Sequence, residues 1–154
     1  MHQLDSFDTA ILEALQREGR LANADLAERI GLSPSACHRR MKMLETEGLI
    51  ERYVALLSGE RVGRGLIVMV LVTLENQKRE TMEAFEQAVR EIDDVMECHL
   101  TTGAEDYLLR LNVRDARDYE RVHRERLSGL PGVARLVSNI VMRTVFSRTA
   151  LPLG

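Results

Sequence analysis

The run LIVMVLV at residues 66–72 is wholly apolar and carries no charge. It is too short to cross a bilayer, for which a helix needs about 20 such residues. It also lacks the alternation of a strand with one wet face, so it predicts a strand covered on both sides. The segments that follow supply one cover. Met82, Phe85, Val89 and Ile92 predict a helix over 79–92, with strands near 95–102 and 106–113, a helix over 115–127 and a last strand near 133–146. Together with a first strand at 66–74 the order is βαββαβ, a ferredoxin-like split unit with both helices on one sheet face. The opposite face then needs its own cover. A second copy of the same sheet is the simplest, which predicts a homodimer; the alternative is that the strand packs under the N-terminal part of the chain.

Before this unit the period changes to that of helices. Phe7, Ile11, Leu12 and Leu15 recur at helical spacing up to a stop at Gly19. A second, shorter helix carries Leu26, Ala27 and Ile30 inward and ends at Gly31. A third begins at once, with Ser33 as N-cap, Pro34 in the first turn, and Cys37, Met41 and Leu44 facing inward. Two short helices joined by a glycine turn form a helix-turn-helix, and a strand expected within 47–56, after Gly48, makes it a winged variant. The segment SGERVGRG is glycine-rich with little to bury and is expected to be a hinge. The chain therefore divides into a helix-turn-helix domain (1–57), a hinge (58–65) and a ferredoxin-like domain (66–154), an α+β protein.

The third helix has a polar face of Ser35, His38, Arg39 and Lys42, with Arg40 to one side and Ser33 at its start. Three positive charges and no acid fall within 33–44. Alone, such a face could simply be solvated. Its position decides the matter, because the second helix of a helix-turn-helix enters the major groove, and here the acids gather on the two helices before it. Double-stranded DNA is the expected partner. The net charge of −3 excludes coating nucleic acid by bulk charge, so binding has to come from this local cluster.

Other chemistry is thin. Cys37 and Cys98 do not form a disulfide framework, a reducing cytoplasm is expected, and no signal or membrane segment is read. Cys98 and His99 are adjacent, so on a strand they point to opposite faces, and no metal site is expected. His38 and His123 read as a groove-facing and a surface histidine. No phosphate loop, nucleophile elbow or acid–base pair appears, so neither catalysis nor a cofactor is expected.

The block IGLSPSACHRRMKMLETEGLI, preceded by LDSFDTAILEALQREGR and followed by HLTTGAEDYLLRL and LPGVARLVSNIVM, resembles the Lrp/AsnC (leucine-responsive, feast/famine) family of prokaryotic transcription regulators over nearly the whole chain. The resemblance implies a winged helix-turn-helix joined to a ferredoxin-like effector domain that dimerises and assembles further, commonly to an octamer. It also implies a small effector, usually an amino acid, at interfaces between those domains. This chain departs from the family in having Arg52 where a glycine is usual before the tyrosine; its charge could touch phosphate or pair with Glu51.

The TTGAED loop carries chemistry of its own. A free amino acid presents a carboxylate, which bare backbone N–H groups at Gly103 could hold, and an ammonium, which Asp106 could meet. Asp106 could equally cap its own hairpin turn. The resemblance favours the ligand role and extends it, by match to the family motif, to Leu100, Thr101, Thr102, Gly103 and Asp106. The competing function is an architectural DNA-binding protein that acts by multimer assembly without an effector. A metabolic enzyme or its sensing subunit is the distant third reading, for which a helix-turn-helix is not needed.

Overall fold

The structure, a computed structural model, describes residues 4–153; residues 1–3 and 154, inside the domain limits drawn above, lie outside the described residues. Two compact units result. One contains the chain up to Leu56 together with the segment from Val145 onward, and the other spans Leu57–Thr144. The last residues thus join the helical unit, where the sequence division put them with the sheet.

The helical unit consists of α1 (Ser6–Arg17), α2 (Asn23–Ile30) and α3 (Pro34–Thr46). Each boundary has a local cause. Asp5 caps α1 in a reciprocal box with Asp8. Gly31 ends α2 at φ 73°, a left-handed conformation that costs glycine little, and Leu32 N–H then closes on the Ala27 carbonyl. Ser33 Oγ accepts from Ala36 N–H to start α3, with Pro34 in its first turn. Ala27, almost fully buried, lets the helices approach, and Asn23 Nδ2 ties α2 to the Pro34 carbonyl at 2.9 Å. Ile11, Leu26, Cys37 and Leu44 are fully buried at the centre. The strand expected within 47–56 is not formed. After Gly48 the amides of Leu49 and Ile50 both return to the Leu44 carbonyl, and residues 51–57 carry no strand. A lone extended segment has no neighbour in a single chain with which to build a ladder.

The sheet unit has β1 (Leu66–Leu74), α4 (Arg79–Arg90), β2 (Val95–Leu100), β3 (Tyr107–Val113), α5 (Ala116–Val122), continued by a π-helical turn His123–Leu127, and β4 (Val133–Ile140). The antiparallel order is β2-β3-β1-β4, as the βαββαβ pattern requires. The last strand stops at Ile140, short of the expected 146. Val68, Val70, Val72 and Leu74 of β1 and Tyr107, Leu109, Leu111 and Val113 of β3 form the buried side, under Phe85 and Val89 of α4 and Tyr119 and Val122 of α5. Burying a side chain such as Phe85 stabilises by about 1.5–3 kcal/mol. On the opposite face Ile67, Met69, Leu71 and Leu108 are only half-buried within one chain.

The expected hinge is folded. Residues 58–64 turn back on themselves through Val62 N–H to Ser58 O and Arg64 N–H to Gly59 O. Arg64 is salt-bridged to Asp94 and donates to the Asn112 carbonyl, and Asn112 Nδ2 donates to Arg64 O at 3.1 Å. This segment is therefore part of the sheet unit, held by polar contacts where apolar ones are scarce.

Candidate DNA interface and effector cavity

His38, Arg39 and Lys42 lie exposed along one open surface of α3, bounded by Met43, Thr46 and Glu47. Neither Arg39 nor Lys42 makes an ion pair with a described residue. Two exposed cations at i and i+3 share one helix face, which is what a polyanion requires. Ser35 is exposed one turn earlier, its hydroxyl 3.2 Å from that of Ser33. The Ser33 side chain is committed to its capping bond.

Arg40 behaves differently from its neighbours. Its guanidinium turns to α1, with Nη1 2.7 Å from Asp8 Oδ1 and 2.8 Å from Asp5 Oδ2, and lies over the Phe7 ring. Asp8 is only 2% exposed. These two carboxylates hold the Arg40 proton more firmly than usual. The residue thus fastens α3 to the N-terminus of α1, a partner the sequence reading, which grouped it with the DNA-facing cations, did not include. The reason is rotation about α3: a residue beside the polar face can reach back to acids that lie more than thirty positions earlier in the chain. Arg52, exposed, makes no ion pair with Glu51 or any other described residue. Burial raises the Cys37 thiol pKa, which leaves it an inert core residue.

In the sheet unit, the turn between β2 and β3 borders a cavity of ≈ 300 Å³ lined by Leu74, Gln77, Met82, Leu100, Thr101, Thr102 and Asp106. Four of the five residues expected there line it. Gly103, the fifth, lies in the same turn at φ 143°, outside the ordinary range of other residues. Leu74, Gln77 and Met82 were not anticipated, because they come from β1, the β1–α4 connection and the start of α4, far from the motif in sequence. Leu74 and Met82 give the cavity an apolar side and the threonines and Asp106 a polar one.

Asp106 is mostly buried, and both of its oxygens have partners. Oδ2 accepts from Leu74 N–H at 2.7 Å and Oδ1 from Gln77 Nε2 at 2.6 Å. Its backbone N–H bonds Val72 O, and Thr101 N–H bonds its carbonyl. Thr101 Oγ1 donates to Glu105 O at 2.8 Å. The carboxylate therefore does structural work, tying the end of β1 to the start of β3. Each oxygen retains a second lone pair, so an added donor remains geometrically possible. Beneath the loop Tyr107 packs at a tilt against the Phe85 ring and donates to Glu86 Oε1 at 2.7 Å; burial is the main reason its phenol stays protonated well above the ordinary range.

The comparisons agree with both halves. Residues 4–51 match the winged helix-turn-helix DNA-binding family and residues 67–151 the Lrp/AsnC ligand binding domain. The chain is 41% identical over 142 residues to the proline dehydrogenase transcriptional activator of Rhizobium radiobacter, covering 92% of this chain and 91% of the relative. It is 39% identical to the leucine-responsive regulatory protein of Escherichia coli K12, over 92% and 87% of the two chains. Among solved structures, a transcriptional regulator of Neisseria meningitidis in complex with L-Met superposes with a TM-score of 0.93 at 38% identity, over 97% of each chain. An AsnC family regulator from Agrobacterium tumefaciens gives 0.92 at 33% identity, again over 97% of each. A helix-turn-helix with an exposed cationic face, followed by a ligand-binding sheet domain, makes this chain a member of the Lrp/AsnC family of DNA-binding transcription regulators.

Proposed function

We propose that this regulator binds a free amino acid with an apolar side chain in the cavity between Asp106 and Met82, and that binding changes its affinity for DNA. The cavity carries the reading. Its polar end of Thr101, Thr102 and Asp106 suits an ammonium and a carboxylate, and its apolar end of Leu74, Met82 and Leu100 suits an aliphatic or thioether side chain. The L-Met complex of the Neisseria relative supports the same class of ligand. On the DNA side, Arg39 and Lys42 contact phosphate, while Ser35 and His38 reach base edges. The half-buried face of Ile67, Met69, Leu71 and Leu108 is covered by a second copy, giving a dimer that associates further. The protein acts in the cytoplasm, without catalytic activity.

The test is a melting curve with a panel of amino acids that includes L-Met and L-Leu. A ligand of the folded form stabilises it by about 2.7 kcal/mol at a hundredfold excess over its dissociation constant, which a melt resolves. Coupling is reciprocal, so an amino acid that regulates must also bind with altered affinity once DNA is present. No shift with any member of the panel would leave the multimeric architectural role as the better account.

A further inference from the structure

The C-terminal segment ends on the helical unit, and nothing in the DNA- and effector-binding roles uses it. Gln16, in the last turn of α1, holds the backbone of Leu151 at two points: Leu151 N–H donates to Gln16 Oε1 at 2.6 Å, and Gln16 Nε2 donates to Leu151 O at 3.2 Å. One side-chain amide thereby satisfies both backbone polar groups of one residue, as a neighbouring strand would. Leu153, two residues on, is partly buried against the helical core. With Leu4, Leu12, Leu15 and Ile50 it lines a groove of ≈ 470 Å³.

This core is small. Three of its eight buried residues are Ala14, Ala27 and Cys37, so one added leucine is a large fraction of what it can bury. The segment has no regular secondary structure, so it owes its position to these contacts. Because the chain leaves the helical unit after Leu56 and re-enters it at Val145, the unit is made from both ends of the sequence.

We propose that the groove between α1 and residues 49–53 is the receptor for the chain's own C-terminal segment 145–153, and that this strap positions the recognition helix α3 through α1. The route is physical. The strap grips the C-terminal turn of α1 at Gln16, and the N-terminal turn of α1 grips α3 through Asp5, Asp8 and Arg40. The strap contributes to DNA binding without touching DNA through Gln16 or Leu153.

Hydrogen exchange on the full-length protein and its Gln16→Ala/Leu153→Ala double variant tests this. Alanine is the better helix former, so Gln16→Ala cannot loosen α1 through propensity. The expected result is amides in 12–18 and 49–53 exchanging roughly tenfold faster or more, with β1 and β3 unchanged. Affinity for a fixed synthetic duplex should fall severalfold while the slope of log affinity against log salt stays as in the parent, because no phosphate contact is lost. A chain ended after Thr144 should show the same exchange pattern; loss of all protection in α1–α3 with the sheet retained also supports the strap. Unchanged exchange in 12–18 and 49–53 in both proteins overturns it. So does a protection of these segments in the parent that disappears on dilution while α1–α3 remain folded, since the strap would then come from another copy.

Discussion

Arg40 Nη1 lies 2.7 Å from Asp8 Oδ1, so the recognition helix and the N-terminal turn of α1 are fastened by an ion pair whose acid is almost fully buried. Arg39, its neighbour, has no such partner among the described residues. Adjacent arginines on one helix therefore have separable roles, and two substitutions distinguish them.

Arg40→Ala leaves Asp8 buried without its guanidinium and should cost about 1–3 kcal/mol of stability, discounted from the full cost of breaking a buried pair because Asp5 and Arg40 remain partly solvated. Its salt dependence of DNA binding should match the parent's. Arg39→Ala should melt normally and lose about 0.9 from the slope of log affinity against log salt. Melting curves and salt titrations on the two proteins decide the assignment; a lowered slope for Arg40→Ala would return that residue to the DNA surface.

Asp118 gives a pH prediction. Hydrogen bonds from the Arg114 side chain, the Arg114 backbone and Arg121 hold its carboxyl well below the ordinary carboxylate range. In the unfolded chain it titrates near the usual value of about 3.9. Its stabilisation is thus complete above that value and is lost as pH falls from there toward the folded one. Urea unfolding of the parent between neutral pH and the acid range should show this decline, and Asp118→Asn, about 1–3 kcal/mol less stable at neutral pH, should show a smaller one. A variant with the parent's acid sensitivity would exclude Asp118 as a source of it.

The open sheet face predicts association. Leu71 stands at the middle of β1, opposite Leu108 and Val137 on the two neighbouring strands, on the face without helices. A charge there is tolerated by water but not by an apolar interface. At micromolar concentration the parent should sediment as a dimer or larger, and Leu71→Asp as a monomer with its helix-covered core intact by circular dichroism. A monomeric parent would remove the argument for a second copy.

Much of the architecture was readable because its causes are local. Ser33 and Pro34 start a helix, Gly31 ends one, and the unbroken LIVMVLV run names the central strand, each from adjacent residues alone. What escaped depends on distant partners. Arg40 needed Asp5 and Asp8, the cavity needed Gln77 and Met82, and the C-terminal segment needed Gln16, 135 positions away. The strand expected after Gly48 failed for the converse reason, since an extended sequence without a neighbour in the same chain cannot form a ladder.

Asp106 is where structural and ligand roles meet, and its substitution separates them. As a carboxylate it offers one oxygen to Leu74 N–H and the other to Gln77 Nε2. Asp106→Asn keeps the shape but turns one acceptor into a donor, so Leu74 N–H stays on Oδ1 while the Gln77 amide has to flip and present its Oε1 to the new Nδ2. The ligand-free protein should then be only slightly less stable, by about 1 kcal/mol, as charge-assisted hydrogen bonds give way to neutral ones. If Asp106 also meets the ammonium of an amino acid, the shift that L-Met or another active compound gives in the parent should largely vanish as well. Gln77→Ala provides the control, because it frees one Asp106 oxygen without removing the charge. Its ligand-free melt should fall only slightly, while binding of the amino acid, measured by calorimetry, should persist or tighten. Loss of binding in Gln77→Ala together with an undiminished ligand shift in Asp106→Asn would reassign recognition of the ammonium from the carboxylate to the glutamine amide.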